Sequence, residues 1–572
     1  MVCQSLQSVA DERSAPGAQA EHFCLTDDAL KLLGPSLEKH RGCDILDLNP
    51  GAGLWSQKIH DFLNPRSHLL LEPQPELYLR FLQPLLDRPN STFKLVSKEI
   101  GSFDTYRELV DEGLFPHQKR IPPSDTKPQE QNNSLLVTGS LMWDPTLPGI
   151  SFDCLALQLL SRFASMGWEG DTFHAFGPVR MLLWGLRDDI NSCLPKSTRH
   201  IGKSTKYIDK VSTVTEVVTP PLVPRESVGT SSGREPRYTF QSLVKAMKNT
   251  RKNGVEYPLH RRGDIHDFAD DIDKISEGTG ILSIAQCTEY LKEQVSKGKS
   301  AVGLLPDSVI TTYLEQKALD IDPDIYPDDG AIEVRGPDGA LIPERRVVNR
   351  RKGLTTRYNF LQTQKDDVVD VGEAIYRLEC QILSMGAQDQ KESALESLSE
   401  LNKAFDAGVK ARAANLRGQI FADLDDRISL SSPVPRLSWD VRPYEPLLMQ
   451  TDEVWPSNRV SLVDVEPKMI PNGQSAETLE WFQDFIIGLF MRPTASLPEA
   501  LETIQSGATD LIERVPILRD PAQGGRLDMN HLRVRMLTLD MIDDLCNAYR
   551  DWPFRVPNAD NPRYFRMRMG GN

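Results

Sequence analysis

A glycine-rich turn near the amino terminus carries the residues best suited to bind a nucleotide-like ligand. The stretch Asp44-Ile-Leu-Asp-Leu-Asn-Pro-Gly-Ala-Gly53 reads as an apolar strand that ends in a turn and opens a helix. Glycines at such a turn let backbone amides approach a ligand. Asp47 could bind the ligand's amino group or brace the turn. Glu72 closes the next strand, about 20 residues after the turn, where domains of this kind place an acidic ribose ligand. The alternative is a solvated acid at the end of the strand.

The elements that must position these residues alternate between apolar strands and amphipathic helices from Asp27 to about Leu222, a pattern that predicts a parallel α/β sheet. The five predicted strands are Asp44–Leu48, His68–Leu71, Phe93–Val96, Ser134–Val137 and Val179–Trp184. A Pro/Ser/Gly/Arg stretch over 219–237 reads as a linker. We predict three units: a Rossmann-like domain at 22–222, a mainly helical insertion at 223–435 that packs separately, and the end of the core sheet with a helical subdomain at 436–572. The basic run that begins at Arg345 and ends at Lys352 is predicted to be a loop that is disordered or faces a partner.

Composition narrows the class of protein. A chain of 572 residues is too long to fold around one compact core. Its content of 39% hydrophobic and 26% charged residues is ordinary for a globular protein. No stretch is apolar for long enough to span a membrane, so we expect no membrane partner. The net charge of −15 counts against wholesale wrapping of nucleic acid, although a local basic groove stays open. Eight cysteines without a CxxC pair make a zinc ribbon improbable, and we expect no metal.

Several stretches resemble the rRNA adenine dimethylases and their fungal mitochondrial branch of transcription factors. They are His22–Asp27, Ile45–Gly53, Leu70–Glu76, Phe176–Trp184, Glu453–Pro456, Val463–Pro467 and Asp551–Phe554. The resemblance covers 22 to about 215 and 438 to about 555. It implies a class I S-adenosylmethionine-dependent methyltransferase fold with a C-terminal helical subdomain, to which the middle third adds a large insertion.

The same resemblance implies a cofactor site for S-adenosylmethionine, and two of its positions are altered. Asn49 stands where the family has its first glycine, and Glu99 stands where an aspartate meets the cofactor's adenine. Asparagine tolerates a left-handed backbone, so its presence need not close the pocket. We expect S-adenosylmethionine to be dispensable and its binding weak or absent. The implied cofactor-binding set is Asp47, Asn49, Gly51, Gly53, Glu72 and Glu99.

The catalytic loop departs furthest from the family pattern. The enzymes use Asn-Leu-Pro followed by an aromatic residue, which holds the adenine amine and stacks on the flipped-out base. Here the loop reads Thr138, Gly139, Ser140 and Leu141, and Trp143 comes two residues too late to stack without rebuilding the loop. We therefore expect no catalytic residues and no methylation.

A basic cluster after the fifth predicted strand is the candidate nucleic-acid contact, because the family places a nucleic-acid-facing loop there. It could equally be a solvated face. The cluster contains Lys196, Arg199, His200, Lys203, Lys206 and Lys210, and Trp143 is the candidate stacking residue.

These departures lead to one functional expectation and two alternatives. The resemblance implies a transcription initiation factor in the mitochondrial matrix. Its partners would be the mitochondrial RNA polymerase and the melted promoter strand, with rRNA as a further candidate. The alternatives are a working mitochondrial rRNA adenine N6,N6-dimethyltransferase and a mitoribosome-associated RNA-binding scaffold. The altered loop at 138–141 favours the factor and the scaffold over the enzyme.

Overall fold

A computed structural model describes most of the chain between residues 25 and 555. The described residues are 25–122, 130–223 except 144 and 151, 234–317 except 308, 312 and 315–316, 345–450 except 387, and 452–555 except 455–457 and 471–474. Residues 22–24 and 455–456 of the family-like stretches lie outside these ranges, as do the first 20 residues, where an import signal would be sought.

One eight-stranded sheet organises the molecule, in the order β3-β2-β1-β4-β5-β8-β6-β7. Strands β1 to β5 are parallel, whereas β8 runs antiparallel to both of its neighbours, β5 and β6. This order, with one antiparallel strand between the fifth and sixth, is that of the class I methyltransferase fold, so the predicted fold class is confirmed. The strands are β1 (Asp44–Leu48), β2 (Ser67–Leu71), β3 (Phe93–Val96), β4 (Leu135–Ser140), β5 (Arg180–Leu186), β6 (Ser212–Thr219), β7 (Leu447–Leu448) and β8 (Val460–Pro467).

Every residue of β1, β2 and β4 is buried, as expected for parallel strands covered by helices on both faces. Six helices belong to this part of the chain: α1 (Leu25–Leu37), α2 (Leu54–Leu63), α3 (Pro75–Leu86), α4 (Phe103–Asp111), α5 (Leu155–Glu169) and α6 (Lys203–Val211). Strand β4 runs through Ser140, three residues beyond the predicted strand, so Thr138 to Ser140 belong to the sheet and not to a loop.

The inserted region consists of two parts that pack differently. Helices α7 (Pro236–Lys252), α8 (Asp264–Ile275) and α9 (Ile284–Ser296) surround an apolar core of their own, centred on Phe240 and Phe268. Helices α10 (Arg345–Ser384), α11 (Gln388–Lys410) and α12 (Ala414–Ser431) instead contribute to the main core. That core also holds the C-terminal helices α13 (Ala476–Leu489), α14 (Leu497–Ile504) and α15 (Leu539–Arg550). The expectation that the whole insertion packs separately is therefore wrong for 345–431.

The basic run from Arg345 to Lys352 also differs from its prediction. The structure places it in the first turns of α10, a helix of 40 residues, and not in a loop. The sequence pattern indicated helix only from Asp366, because the apolar spacing typical of a packed helix begins near that point.

Three buried aspartates near the end of α12 join the parts of the molecule. Asp423, Asp425 and Asp426 are each at most 2% exposed. Asp423 pairs with Lys365 of α10 at 2.8 Å and also accepts a hydrogen bond from Tyr238 of α7. The other two aspartates bind the C-terminal subdomain and the segment between β5 and α6.

Asp425 accepts hydrogen bonds from two arginines of the C-terminal subdomain. Arg533 Nε lies 2.9 and 2.8 Å from its two oxygens, and Arg535 Nε lies 2.7 Å from Oδ2. Asp426 accepts from the amide of Thr198 at 2.9 Å and from the hydroxyl of Ser197 at 3.0 Å, both between β5 and α6. Helix α12 therefore holds the insertion, the sheet and the C-terminal helices together.

Removing the Asp425 carboxylate should destabilise the whole chain. Asp425→Ala leaves Arg533 and Arg535 buried without their charge partner, and breaking a buried ion pair in this way costs about 3–5 kcal/mol. Urea unfolding followed by circular dichroism measures the loss. Glu396→Ala on the exposed face of α11 is the matched control and should change the free energy of unfolding by no more than about 0.5 kcal/mol. Equal losses in the two variants would contradict this account of α12.

Candidate functional site

The glycine-rich turn after β1 has the backbone that its sequence demands. Asn49, Gly51 and Gly53 have φ angles of 49°, 56° and 72°, all in the left-handed region. A Cβ atom at Gly53 would lie 2.9 Å from Leu82 of α3, so this position also needs glycine for space. The side-chain amide of Asn49 donates to the carbonyl oxygen of Ser140 at 3.3 Å, which connects the turn to the end of β4.

Two of the three carboxylates predicted to bind a cofactor, Asp47 and Glu72, are buried and already have protein partners. Glu72 is 4% exposed and accepts hydrogen bonds from the amides of Gly51 at 3.2 Å and Gln74 at 3.1 Å. Burial raises the pKa of Glu72, although these two amides oppose the shift. Asp47 is 0% exposed, and its Oδ2 lies 3.4 Å from Nε2 of His68. The structure thus places Glu72 against the turn, where it acts as a brace; its predicted contact with a ribose stays a prediction.

The side chains of this turn leave little surface for S-adenosylmethionine. Gly51, Ala52 and Gly53 are all buried, as are Asp47 and Glu72. Glu99 lies on the exposed loop after β3. The residues present do not fit an open pocket in which both carboxylates face a ligand. Asp47 Oδ1 is buried without a hydrogen-bond partner in the described part of the chain.

The segment from Thr138 to Leu141, predicted from the resemblance to be an altered catalytic loop, is used for packing. Thr138 is fully buried; its Oγ1 donates to the carbonyl oxygen of Leu182 at 2.9 Å and accepts from Trp55 Nε1 at 2.7 Å. Gly139 lies at φ 125°, and a Cβ there would fall 2.1 Å from the Leu48 carbonyl oxygen. Ser140 is 4% exposed and Leu141 is 1% exposed. Thr138, Gly139 and Ser140 end strand β4, and Leu141 packs into the main core. They do not form a loop that faces a substrate.

Three tryptophans surround this segment. Trp55 and Trp184 meet edge to face, with ring centroids 5.7 Å apart, in a second apolar cluster that also holds Met142. Trp143 is partly buried and packs against the main core. The indole–threonine hydrogen bond was not predicted from the sequence, because Trp55 and Thr138 lie 83 positions apart.

The predicted basic cluster does not form one solvent-facing surface. Lys206 is 3% exposed, and burial lowers its pKa to about 8. Lys196 pairs with Glu216 at 2.8 Å and lies over the ring of Trp439; burial, opposed by Glu216, lowers its pKa to about 8. Lys210 pairs with Asp543 at 2.7 Å. His200 and Lys203 are the exposed members, and Arg199 is partly buried.

Helix α12 explains why this surface is covered. Its Asp426 binds Ser197 and Thr198, which lie between Lys196 and Arg199 in the chain. Lys203 is exposed, whereas Lys206 is buried. Replacing both lysines would change the charge of the surface and the stability of the core at the same time. Whether Lys196, Arg199, Lys203, Lys206 or Trp143 contacts nucleic acid stays a prediction.

The described residues contain no group of three or more histidine, cysteine, aspartate or glutamate side chains placed to hold a metal ion. Within the same ranges, no helix combines the length and the apolar character that a membrane span needs.

The fold and the altered pocket define a methyltransferase-like scaffold, and comparisons with known proteins add relatives. The chain is 25% identical over 174 residues to Mitochondrial transcription factor 1 of Saccharomyces paradoxus and to that of Saccharomyces cerevisiae. The alignment covers 30% of this chain and 46% of each relative, so the chain spans about half the length of the curated relatives it matches. The predicted resemblance to the mitochondrial transcription-factor branch is thus confirmed for that part.

Among solved structures, the chain is similar to a dimethyladenosine transferase from Plasmodium falciparum, with 9% identity and a TM-score of 0.22. That similarity covers 48% of this chain and 96% of the other. No family model matches the chain.

The Thr138 hydroxyl should matter for stability. Thr138→Val keeps the shape of the side chain but leaves the buried Trp55 N–H without its acceptor, which should cost about 1–3 kcal/mol. Thr138→Ser keeps the hydroxyl and is the matched control. Thermal and urea unfolding should rank the serine variant above the valine variant. The reverse order would show that the hydrogen bond carries no stability.

Proposed function

We propose that this protein is a mitochondrial transcription initiation factor that assists the mitochondrial RNA polymerase in recognising and melting promoters. The similarity to Mitochondrial transcription factor 1 over 174 residues carries the proposal. The protein would work in the mitochondrial matrix, on a scaffold inherited from the rRNA adenine dimethylases. Its DNA ligand would be the melted promoter strand, held by backbone charge and base stacking.

The use of the former catalytic segment supports a function other than methylation. Adenine methylation needs polar groups that accept from the base amine, together with an aromatic ring that stacks on the base. In this chain the Thr138 hydroxyl is engaged by Trp55 and Leu182, and Leu141 is buried in the core. Neither residue is free to position a substrate, and such positioning is where the rate of methyl transfer to an amine originates.

We also propose that S-adenosylmethionine is not required. The support is the burial of Asp47 and Glu72 and the two amides that Glu72 already accepts from. A ribose would have to replace the protein's own hydrogen bonds, and that exchange yields little net free energy.

Affinity capture of the tagged protein from mitochondria tests the choice of partner. We expect the mitochondrial RNA polymerase to be recovered, and its direct binding to be reproduced with the two purified proteins. Recovery of ribosomal proteins and small-subunit rRNA without polymerase would instead support the scaffold alternative and contradict the proposed function.

Methylation and cofactor binding are tested separately. In cells depleted of this protein, primer extension should still show the paired dimethyladenosine marks on small-subunit rRNA. Loss of the marks, restored by the wild-type chain, would establish the enzyme alternative. Titration calorimetry with S-adenosylmethionine should show no tight binding. A dissociation constant near 1 μM, about −8 kcal/mol, would contradict the account of the pocket.

A further inference from the structure

Helix α10 contains the most basic segment of an acidic chain. Residues 345–357 hold six cations and no acid, namely Arg345, Arg346, Arg350, Arg351, Lys352 and Arg357. The net charge of the whole chain is −15, so the other 559 residues carry −15 − 6 = −21. A polyanion would be repelled by most of this molecule and attracted locally by this segment.

The basic segment extends beyond the helices that pack against α10. The Arg412 guanidinium, in the turn between α11 and α12, donates to the carbonyl oxygen of Gln364 at 3.2 Å. Helix α11 therefore ends beside Gln364, and helix α12 begins there. The 19 residues of α10 from Arg345 to position 363 continue past that level, a length of about 28 Å at 1.5 Å per residue.

The other half of α10 is held firmly, so the basic half is the extension of an anchored helix. Lys365 is 1% exposed and pairs with Asp423 and Glu235 at 2.8 and 2.6 Å. Val369 and Ile375 are fully buried, and Glu379 pairs with Arg526 at 2.5 Å. A ligand bound at the start of α10 would therefore be held at a fixed position relative to the sheet.

The helical repeat places three of the arginine positions on one face of α10. At 100° per residue, positions 346, 350 and 357 fall within about 40° of one another around the helix axis. They rise along it by about 6 Å and then about 10 Å. Five of the six cations are arginines, whose planar guanidinium pairs with phosphate through two parallel hydrogen bonds. A row of arginines suits the regularly spaced phosphates of a nucleic-acid strand.

We propose that residues 345–357 of α10, the basic arm, bind the phosphate backbone of nucleic acid. The choice of nucleic acid over another polyanion rests on the proposed function. The contact is independent of base sequence, because phosphates carry no sequence information. It supplies a concentration of positive charge that the region from Lys196 to Lys210 does not offer, since Lys206 is buried and Lys196 and Lys210 are paired with carboxylates.

The salt dependence of DNA binding tests this proposal. The probe is a fluorescent 30-nucleotide DNA without promoter sequence, as a single strand and as a duplex, titrated with the full chain at several salt concentrations. The variant is R346A/R350A/R357A, in which alanine favours the helix, and circular dichroism checks its folding. Each lost phosphate contact lowers the slope of log K against log salt by about one unit, so the slope should fall by about three.

Two further variants control for net charge and for chemistry. K274A/R377A/R519A removes three exposed cations outside the arm and should keep the wild-type slope. R346K/R350K/R357K keeps the charges and should retain most of the slope. A wild-type slope in R346A/R350A/R357A, or an equal loss in the control outside the arm, would overturn the proposal. So would a wild-type chain that fails to bind the DNA, or that binds anionic phospholipid vesicles in its place.

Failure of this inference can be told apart from failure of the proposed function. If the alanine variant keeps its DNA affinity and slope but the chain still binds the polymerase, the arm is not the DNA contact and the proposed function stands. If the variant loses DNA binding but neither it nor the wild type binds the polymerase, the arm binds nucleic acid in a protein of another function.

Discussion

The buried carboxylates of α12 are the interaction on which the rest of the structure depends. Asp423, Asp425 and Asp426 lie within four residues of one another, and each binds a different part of the chain. Burial alone would raise the pKa of Asp425, but Arg533 and Arg535 outweigh burial and lower it. The carboxylate therefore stays ionised in the folded protein. Helix α12 of the insertion therefore connects the sheet to the C-terminal subdomain.

Helix α12 fixes part of the segment after β5, because Asp426 accepts hydrogen bonds from Ser197 and Thr198. The end of β4 is fixed by contacts of its own, the hydrogen bonds from Trp55 to Thr138 and from Thr138 to Leu182. Glu72, which the resemblance predicts to contact a ribose, accepts a hydrogen bond from the Gly51 amide and so braces the glycine turn. The scaffold keeps its strand order while the polar groups of its pocket serve stability.

The sequence predicted the local features well. The glycine turn and the approximate bounds of β1 to β3 follow from patterns within a few residues. It did not predict that α10–α12 share the main core, because their partners lie far away: Asp425 and Arg533 are 108 positions apart. The buried pair of His68 and Asp47 was missed for the same reason. Helix α10 begins 21 residues before its predicted start, because its first half lacks the apolar spacing of a packed helix.

Transcription from a defined promoter tests the central claim, that a methyltransferase scaffold without its chemistry assists promoter opening. The purified mitochondrial RNA polymerase of the same organism is given a linear duplex promoter, or the same template already melted at the start site. The account predicts that the polymerase alone transcribes the melted template but needs this chain for the duplex. Added S-adenosylmethionine should make no difference. Equal transcription of the duplex with and without the chain would contradict the account.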